Sequence, residues 1–367
     1  MNDLHFIWLR DCCYCDDCGD SYSSNRFFLP SDIGSGCQAE SVQITPEGNL
    51  ELVWREHHHH STYSAEWLRR YRYDSESRSK RFHQPKIWNH DISSELPKIK
   101  YQQAIADALS RFELFRMLRD YGFVIVAQGP CNPGSIEQVA KLIGDLGDSA
   151  YSRIFDLTPS SLTRTLGNTT RPVPPHTDEA FRYTPPGINV LGCVRPASEG
   201  GDSILVDGFN LAGLLREEFP EAFQLLATSA QSFHRIHPGV LDQRARQRVF
   251  ALDDRGEVVG VRVHTRSAGP MDIEPEKVES YYHAYQQLCR LMMSDENQVH
   301  FRLESGDTVL FDNHRVLHAR QTFSDPNRLL QICNVPRESF HEQYRLLAGE
   351  LGYTDEADMI LSGGMTI

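Results

Sequence analysis

The pattern of apolar and polar positions predicts a main domain in which β-strands alternate with helices. Residues 101–121 carry apolar side chains at helical spacing, and the following FVIVA is typical of a buried strand that ends at Gly-Pro. From Ile188 onward, strand-like segments are INVLGCV, SILVDGF, DTVLFDNHRVLHAR and RLLQICNV, and helical stretches are LAGLLREEFPEAFQLLATSA and PEKVESYYHAYQQLCRLMMSD. Short strands bounded by Gly, Pro and Asn predict a largely antiparallel double sheet, a jelly roll with helical decoration.

Residue composition divides the chain into a small N-terminal part and a larger main part. The first 75 residues are rich in Cys, His and Trp, and the polar, Pro-bearing segment 76–95 then predicts a linker. We therefore expect a small N-terminal β domain at 1–75 and a mainly β domain with helical decoration at 96–367. A chain of 367 residues can bury a substantial core.

Charge and composition narrow the range of functions. The net charge of −13 argues against nucleic acid or anionic lipid as partners, because both require clustered Lys and Arg. Hydrophobic residues make up 40% of the chain, and no apolar run is long enough to cross a bilayer. The N-terminus, MNDLHFIWLRDCC, lacks a basic start followed by an apolar core, which predicts a cytoplasmic protein.

The stretch VPPHTDEAF places a histidine and a carboxylate on either side of one threonine. In an extended segment residues i and i+2 project to the same side, so His176 and Asp178 can face one divalent metal ion. Two histidines and one carboxylate are the ligand set of non-haem Fe(II) oxygenases, which requires one more histidine. In LFDNHRVLHARQTF, either His314 or His318 can supply this third ligand.

An arginine in the next β-rich run favours His318 as the third ligand. Arg328 follows His318 by ten positions, in NRLLQIC. An Fe(II) oxygenase of this type binds a dicarboxylate keto acid, and a guanidinium can hold its remote carboxylate in a bidentate fork. His234, His237 and His264 also remain as third ligands, but none is followed by an arginine in the same relation within a strand.

A family resemblance rests on the runs PPHTDEAFRYTPPGINVLGCVRPASEGGDSILVDGFN, GDTVLFDNHRVLHARQTF and NRLLQ. They resemble the γ-butyrobetaine and trimethyllysine hydroxylase branch of the taurine-dioxygenase-like Fe(II)/2-oxoglutarate oxygenases, and the similarity extends over almost the whole chain. The resemblance implies a double-stranded β-helix that binds Fe(II) through His176, Asp178 and His318. It also implies that Arg328 anchors 2-oxoglutarate in a pocket that includes Leu191.

The resemblance further implies a substrate pocket, and here the sequence departs from the family. Betaine hydroxylases hold a quaternary ammonium group in a cage of aromatic rings. Of the matching positions, Tyr151 and Phe155 keep a ring, whereas Asn168, Glu179 and Asn334 replace tyrosines. Because three of the five cage positions lack an aromatic ring, we expect that the cage is not intact.

The lost rings favour a substrate whose ammonium group has N–H donors. The carboxylate of Glu179, next to Asp178, can bind such a group unless it faces solvent or pairs with Arg182. Arg266, in VHTRSAG, falls where the family binds the carboxylate of its substrate. We expect O2-dependent oxidation, most simply hydroxylation, of an aliphatic C–H in a small amino-acid-like or zwitterionic molecule, with formation of succinate and CO2.

The N-terminal stretch RDCCYCDDCGD and the later segment HHHHSTY predict a second metal site. Three thiolates and one imidazole form a closed tetrahedral zinc site, and closed sites are structural. The resemblance selects Cys13, Cys15, Cys18 and His59 as the zinc ligands. It also implies a shortened N-terminal module, because WLRD begins at residue 8, and it is the sole basis for expecting a homodimer.

Two alternative functions remain. The same iron chemistry in natural-product biosynthesis would hydroxylate or desaturate an amino acid, either free or bound to a carrier protein, although the acidic surface disfavours an acidic carrier. A catalytically silent binding protein on the same fold is an alternative of another class. The presence of all three predicted iron ligands and of Arg328 argues against a silent protein.

Overall fold

A computed structural model describes residues 4–160 and 165–361. The chain divides into two compact units, Met1–Phe82 and His83–Ile367. This boundary falls inside the segment 76–95 that the sequence predicts as a linker. No helix in the described part of the chain is both long enough and apolar enough to span a membrane.

The N-terminal unit is built around a small antiparallel sheet with short helices beside it. Its strands are β1 (Gly19–Asp20), β2 (Asn25–Arg26), β3 (Ala39–Ile44), β4 (Leu50–Trp54) and β5 (His60–Tyr63). Its helices are α1 (Phe6–Asp11), α2 (Ala65–Tyr71) and α3 (Ser75–Arg81). Strands β3, β4 and β5 form the sheet, and the core of the unit consists of Leu9, Leu52, Trp54, Tyr63 and Leu68.

The C-terminal unit mixes strands and helices along its whole length. Its strands are β6 (Lys98–Lys100), β7 (Phe123–Ala127), β8 (Phe155–Leu157), β9 (Val173–His176), β10 (Ile188–Arg195), β11 (Ser203–Asp207), β12 (Gln231–His237), β13 (Leu241–Gln247), β14 (Phe250–Leu252), β15 (Val258–Val261), β16 (Val299–Phe301), β17 (Thr308–Asp312), β18 (Val316–Arg320) and β19 (Leu329–Val335). Its helices are α4 (Tyr101–Ala104), α5 (Ala108–Tyr121), α6 (Ile136–Ala140), α7 (Gly208–Glu218), α8 (Pro220–Thr228), α9 (Val278–Met293), α10 (Arg337–Glu350) and α11 (Thr354–Ala357).

Two sheets organise this unit. The larger sheet has the strand order β6-β7-β17-β10-β19-β8, and the smaller sheet has the order β16-β11-β18-β9. All pairings in both sheets are antiparallel except that between β6 and β7. Strands β12 and β13 form a separate antiparallel pair, as do β14 and β15.

Side-chain alternation along the strands divides the core into layers. In β10, Val190 packs with α5, α6 and α10, whereas Leu191 packs with side chains of both sheets. In β18, Leu317 packs with α7, α8 and α9, whereas Val316 belongs to the cluster shared by the sheets. Helices therefore cover the outer face of each sheet. The side chains on the inner faces of the two sheets point towards the space where the predicted site residues lie.

Several predicted elements are confirmed. The helical spacing and FVIVA correspond to α5 and β7, and the four strand-like segments correspond to β10, β11, β17 with β18, and β19. The long helical stretch after β11 is divided into α7 and α8, because Pro220 lacks a backbone N–H and is accommodated at the start of a new helix.

Candidate active site and cysteine cluster

Strands β9 and β18 bring the predicted iron ligands together. His176 and His318 are directly opposed across this strand pair, and Asp178 follows β9 by two positions. The Nε2 atom of His176 lies 3.3 Å from Asp178 Oδ1, and that of His318 lies 3.6 Å from Asp178 Oδ2. One ligand atom from each of the three residues lies within 4.8 Å of the others.

The protonation of the two imidazoles suits a metal ligand. His176 Nδ1 lies 3.0 Å from the carbonyl oxygen of Pro174, which can only accept, so Nδ1 donates this hydrogen bond and leaves Nε2 on the side of Asp178. Burial, together with the neighbouring His176, lowers the pKa of His318 to about 3, so this imidazole is neutral at physiological pH. Two neutral imidazoles and a carboxylate are the donor set of a non-haem iron site.

Two asparagines that the sequence analysis did not identify hold Asp178 in place. Asn189 Nδ2 donates to Asp178 Oδ2 at 2.8 Å. Asn313 Oδ1 accepts from the Asp178 backbone N–H at 2.6 Å, and Asn313 Nδ2 donates to the Asp178 carbonyl at 3.1 Å. Asn189 had a sequence signal, since it is a lone amide in the otherwise apolar strand INVLGCV.

The remaining histidines considered as third ligands do not join this group. His314 is buried, and His234 and His237 do not line the cavity described below. The ring of His264 lies 5.2 Å from that of His176 between centroids, but its Nδ1 accepts from the Ser267 N–H at 3.1 Å. Among the described residues, His318 is the one further histidine that has a ring nitrogen within 4.8 Å of a ligand atom of both His176 and Asp178.

A cavity of about 370 Å³ opens onto these ligands. Its wall contains most of the residues that the sequence analysis places around the co-substrate and substrate. These residues are Arg328, Leu191, Glu179, Tyr151, Phe155, Arg266 and Asn334. The same wall contains Asn189 and two further arginines, Arg235 and Arg320, which sequence reasoning missed.

Arg328 is a buried cation on the wall of the cavity. Its side chain is 4% exposed, and its guanidinium lies 4.8 Å from the centroid of the Phe323 ring. Burial lowers the pKa of Arg328 to about 10, so the group remains charged at neutral pH. Arg320, beside it, donates to the carbonyl oxygens of Gly167 at 2.9 Å and Thr169 at 2.7 Å.

The aromatic part of the pocket is small. Tyr151 and Phe155 have ring centroids 5.2 Å apart and both line the cavity. Asn334 is buried on the same wall. Asn168 is not among the lining residues, because its amide donates to the carbonyl oxygens of Asp156 at 2.9 Å and Thr158 at 3.1 Å.

Glu179 faces the cavity but already has protein partners. Its carboxylate accepts from the Ala150 N–H at 3.1 Å and from Arg182 Nη1 at 3.0 Å. The pairing with Arg182 is the alternative left open by the sequence. Burial raises the pKa of Glu179, and the Ala150 N–H opposes this shift. The backbone φ of 52° at Glu179 is left-handed and marks a tight turn directly after Asp178.

The N-terminal unit assembles the predicted cysteine cluster. The Sγ atoms of Cys13, Cys15 and Cys18 lie 3.4, 3.6 and 3.4 Å from His59 Nε2. Ordinary Zn–S and Zn–N bond lengths in a tetrahedron place sulfur and nitrogen about 3.5 Å apart, so the spacing fits a zinc ion. Burial raises the pKa of Cys18 to about 12, and the hydrogen bond that Arg10 donates to its sulfur at 3.3 Å opposes this shift.

Comparisons with known proteins find two family profiles that together cover most of the chain. The profile of the taurine catabolism dioxygenase TauD, TfdA family matches residues 79–334, and that of the gamma-butyrobetaine hydroxylase-like N-terminal family matches residues 1–69. The gamma-butyrobetaine dioxygenase of Pseudomonas sp. (strain AK-1) is 32% identical over 345 residues, which are 92% of this chain and 88% of that protein. The gamma-butyrobetaine dioxygenase of Homo sapiens is 27% identical over 86% of this chain and 83% of its own length.

A solved structure gives independent support for the fold. The crystal structure of asparagine oxygenase matches with a TM-score of 0.50 and 18% identity, over 63% of this chain and 79% of that one. The family resemblance predicted from the sequence is confirmed by the two profile matches. The chain belongs to the taurine catabolism dioxygenase TauD, TfdA family.

Proposed function

We propose that the protein is an Fe(II)- and 2-oxoglutarate-dependent dioxygenase that hydroxylates an aliphatic C–H bond of a small amino-acid-like substrate. The observation that carries this proposal is the convergence of His176, Asp178, His318 and Arg328 on one cavity. The described acids on its wall are Asp178, which contacts the two histidines, and Glu179, which pairs with Arg182. Arg328 is therefore available to an anionic co-substrate.

Each residue has a distinct task in the proposed reaction. His176, Asp178 and His318 would hold Fe(II) through two imidazole nitrogens and one carboxylate. Bound iron supplies the oxidising chemistry, in which O2 and 2-oxoglutarate yield succinate, CO2 and a hydroxylated product. Arg328 binds the remote carboxylate of 2-oxoglutarate, and Leu191 contributes apolar surface that excludes water from the same pocket.

The substrate occupies the part of the cavity that includes Glu179, Tyr151, Phe155 and Asn334. The carboxylate of Glu179 accepts three hydrogen bonds, from the Ala150 N–H to both oxygens and from Arg182, and can accept another from an ammonium group. Two aromatic rings are too few to surround a trimethylammonium group. Asn168 acts on the site indirectly, through the segment of Asp156 and Thr158 that it holds.

The proposal extends to the fold and to the cysteine cluster. The two largely antiparallel sheets, with the two proposed histidine ligands on β9 and β18, support a double-stranded β-helix, or jelly roll. The four-donor set of Cys13, Cys15, Cys18 and His59 supports a structural zinc ion, because a closed tetrahedral set leaves no position open for substrate.

Replacement of a proposed iron ligand tests the function. We expect His176→Ala to lose Fe(II) binding and to reduce succinate formation from 2-oxoglutarate to background, because two remaining ligands cannot hold the ion on one face. Metal analysis and a succinate assay with a panel of small zwitterions measure both effects. His283→Ala, at an exposed position on α9, is the control. Undiminished succinate formation by His176→Ala would reject the iron assignment.

A further inference from the structure

Two arginines approach the cavity from a part of the chain outside both large sheets. Arg235 lies on β12 of the hairpin formed by β12 and β13, and Arg266 lies in the short 3-10 turn Thr265–Ser267. Both line the cavity. The proposed co-substrate anchor, Arg328, directly precedes β19 and so approaches the cavity from another part of the fold.

Backbone contacts join the hairpin to the turn. Phe233 is buried against Ala180 and Phe181, and Arg235, two positions later on the same strand, projects to the same side. Phe233 also forms a β-bridge with Ala268, next to the turn that carries Arg266. The two guanidiniums are thus held on one side of the cavity by one local arrangement of backbone.

No acidic side chain among the described cavity residues forms an ion pair with Arg235 or Arg266. The acids on that wall are Asp178 and Glu179, and their ion-pair partners are His176, His318 and Arg182. Arg235 Nε is buried without a hydrogen-bond partner among the described residues. Arg266 Nη2 lies 3.4 Å from His264 Nε2, a neutral ring that cannot balance its charge.

The two cations are close enough to influence one another. Burial lowers the pKa of Arg266, nearby Asp178 opposes this shift, and Arg235 lowers the pKa further. A pair of like charges that faces a cavity, with no carboxylate of the described residues at ion-pair distance, is stabilised when an anion binds between them.

The charged residues of the cavity, taken together with the proposed iron and 2-oxoglutarate, also favour the binding of an anion. Four arginines line the cavity: Arg235, Arg266, Arg320 and Arg328. Arg320 donates to backbone carbonyl groups, and the proposed function assigns Arg328 to 2-oxoglutarate. The charges of Fe(II) and of 2-oxoglutarate cancel one another. The cavity therefore retains an excess of positive charge that a neutral zwitterion would leave uncompensated.

We propose that the substrate is an acidic amino acid or a similar small molecule of net negative charge, and that Arg235 and Arg266 together bind its oxyanion group. This inference rests on the proposed function, since it takes the cavity as the active site. Two guanidiniums on one carboxylate provide charge-assisted hydrogen bonds from both sides. They repel a quaternary ammonium group, which separates this site from one that selects betaines.

Binding of charge-matched ligand pairs tests the proposal. The protein is loaded with Fe(II) and saturating 2-oxoglutarate in the absence of O2, and affinities are measured by calorimetry. The probes are L-glutamate with L-glutamine, L-aspartate with L-asparagine, and γ-butyrobetaine. We expect at least one acid to bind about tenfold or more tightly than its isosteric amide. In Arg235→Gln and in Arg266→Gln we expect this ratio to fall towards one.

Arg235→Lys and Arg244→Gln provide the comparisons. Arg235→Lys keeps the charge and is expected to retain part of the preference for the acid. Arg244 lies on the same hairpin, is exposed and pairs with Asp242 at 2.7 Å, so its replacement is expected to leave the ratio unchanged.

Three results overturn the proposal: equal or tighter binding of the amides to the wild-type protein, tightest binding of γ-butyrobetaine, or no binding of either acid. The affinities for Fe(II) and 2-oxoglutarate show whether the anionic substrate alone or also the proposed function is rejected. If both bind normally and no acid is preferred, the anionic substrate alone is rejected. If the wild-type protein binds neither, the proposed function is rejected as well.

Discussion

Single residues around the proposed iron ligands determine which atoms face the metal. Asn189 donates to Asp178 Oδ2, and Asn313 holds the backbone of Asp178 on both its N–H and its carbonyl group. The hydrogen bond from Asn189 favours the ionised form of the Asp178 carboxylate. Asp178 is thus both charged and fixed in orientation, as a metal ligand must be.

Loss of the Asn189 amide is expected to weaken iron binding. In Asn189→Ala, Asp178 Oδ2 loses its donor and the carboxylate can rotate, so we expect the affinity for Fe(II) to fall roughly 10- to 100-fold. Anaerobic titration with Fe(II) measures this change. Asn132→Ala, at an exposed position outside the cavity, serves as the comparison. An unchanged affinity in Asn189→Ala would show that Asn313 suffices to position Asp178.

At the scale of elements, one carboxylate connects three helices of the C-terminal unit. Glu356 in α11 accepts from Arg116 Nε of α5 at 3.2 Å and from the Tyr344 hydroxyl of α10 at 2.7 Å, and Arg119 of α5 also donates to it. Burial raises the pKa of Glu356, but these donors outweigh burial and lower the pKa to about 2. The short helix α11 therefore depends on this contact.

Removal of the Glu356 charge is expected to destabilise the unit in a pH-dependent way. We expect Glu356→Gln to lower the free energy of unfolding by about 1–2 kcal/mol at neutral pH, a modest effect because the carboxylate is partly exposed. Since the native pKa lies below the usual 4.5, the stabilisation is complete above that pH and disappears as the pH falls towards 2.

Urea unfolding of both proteins across this pH range measures the difference. Glu342→Gln, at an exposed position on α10, is the matched control. A difference between Glu356→Gln and the wild-type protein that persists unchanged at acid pH would contradict the proposed origin of the stability.

At the scale of the whole molecule, the two proposed metal sites occupy different units. The cysteine cluster lies within Met1–Phe82, and the proposed iron ligands lie within His83–Ile367. Each group draws its ligands from its own unit, and the core of each unit is separate. The two proposed metals should therefore bind independently.

Replacement of one proposed zinc ligand tests this independence. We expect Cys15→Ser to lose the zinc ion and to unfold the N-terminal unit at a lower temperature, because structural zinc stabilises the fold that binds it. Iron content should remain at the wild-type level. Metal analysis of both ions measures the outcome, with the exposed Cys131→Ser as control. Loss of both metals in Cys15→Ser would mean that the two sites depend on one another.

The sequence alone predicted the candidate site residues that lie a few positions apart along the chain. His176 and Asp178 are two positions apart, Arg328 follows His318 by ten positions and directly precedes β19, and Cys13, Cys15 and Cys18 are clustered. Local geometry brings such residues together whatever the rest of the chain does. Most of the strands and helices beside them were predictable for the same reason, since apolar periodicity is a local property.

The tertiary structure alone decided which distant residues meet. Asn189 reaches Asp178 because β10 lies opposite the turn that follows β9, and Asn168 turns away from the cavity to bind carbonyl groups of another segment. Arg235 and Arg266 line the same cavity because the hairpin of β12 and β13 pairs with the segment after Ser267, and no local pattern reveals the position of this hairpin. These contacts depend on how whole strands pack against one another. The packing is determined by the summed free energy of many long-range contacts, which the spacing of a few residues along the chain does not reveal.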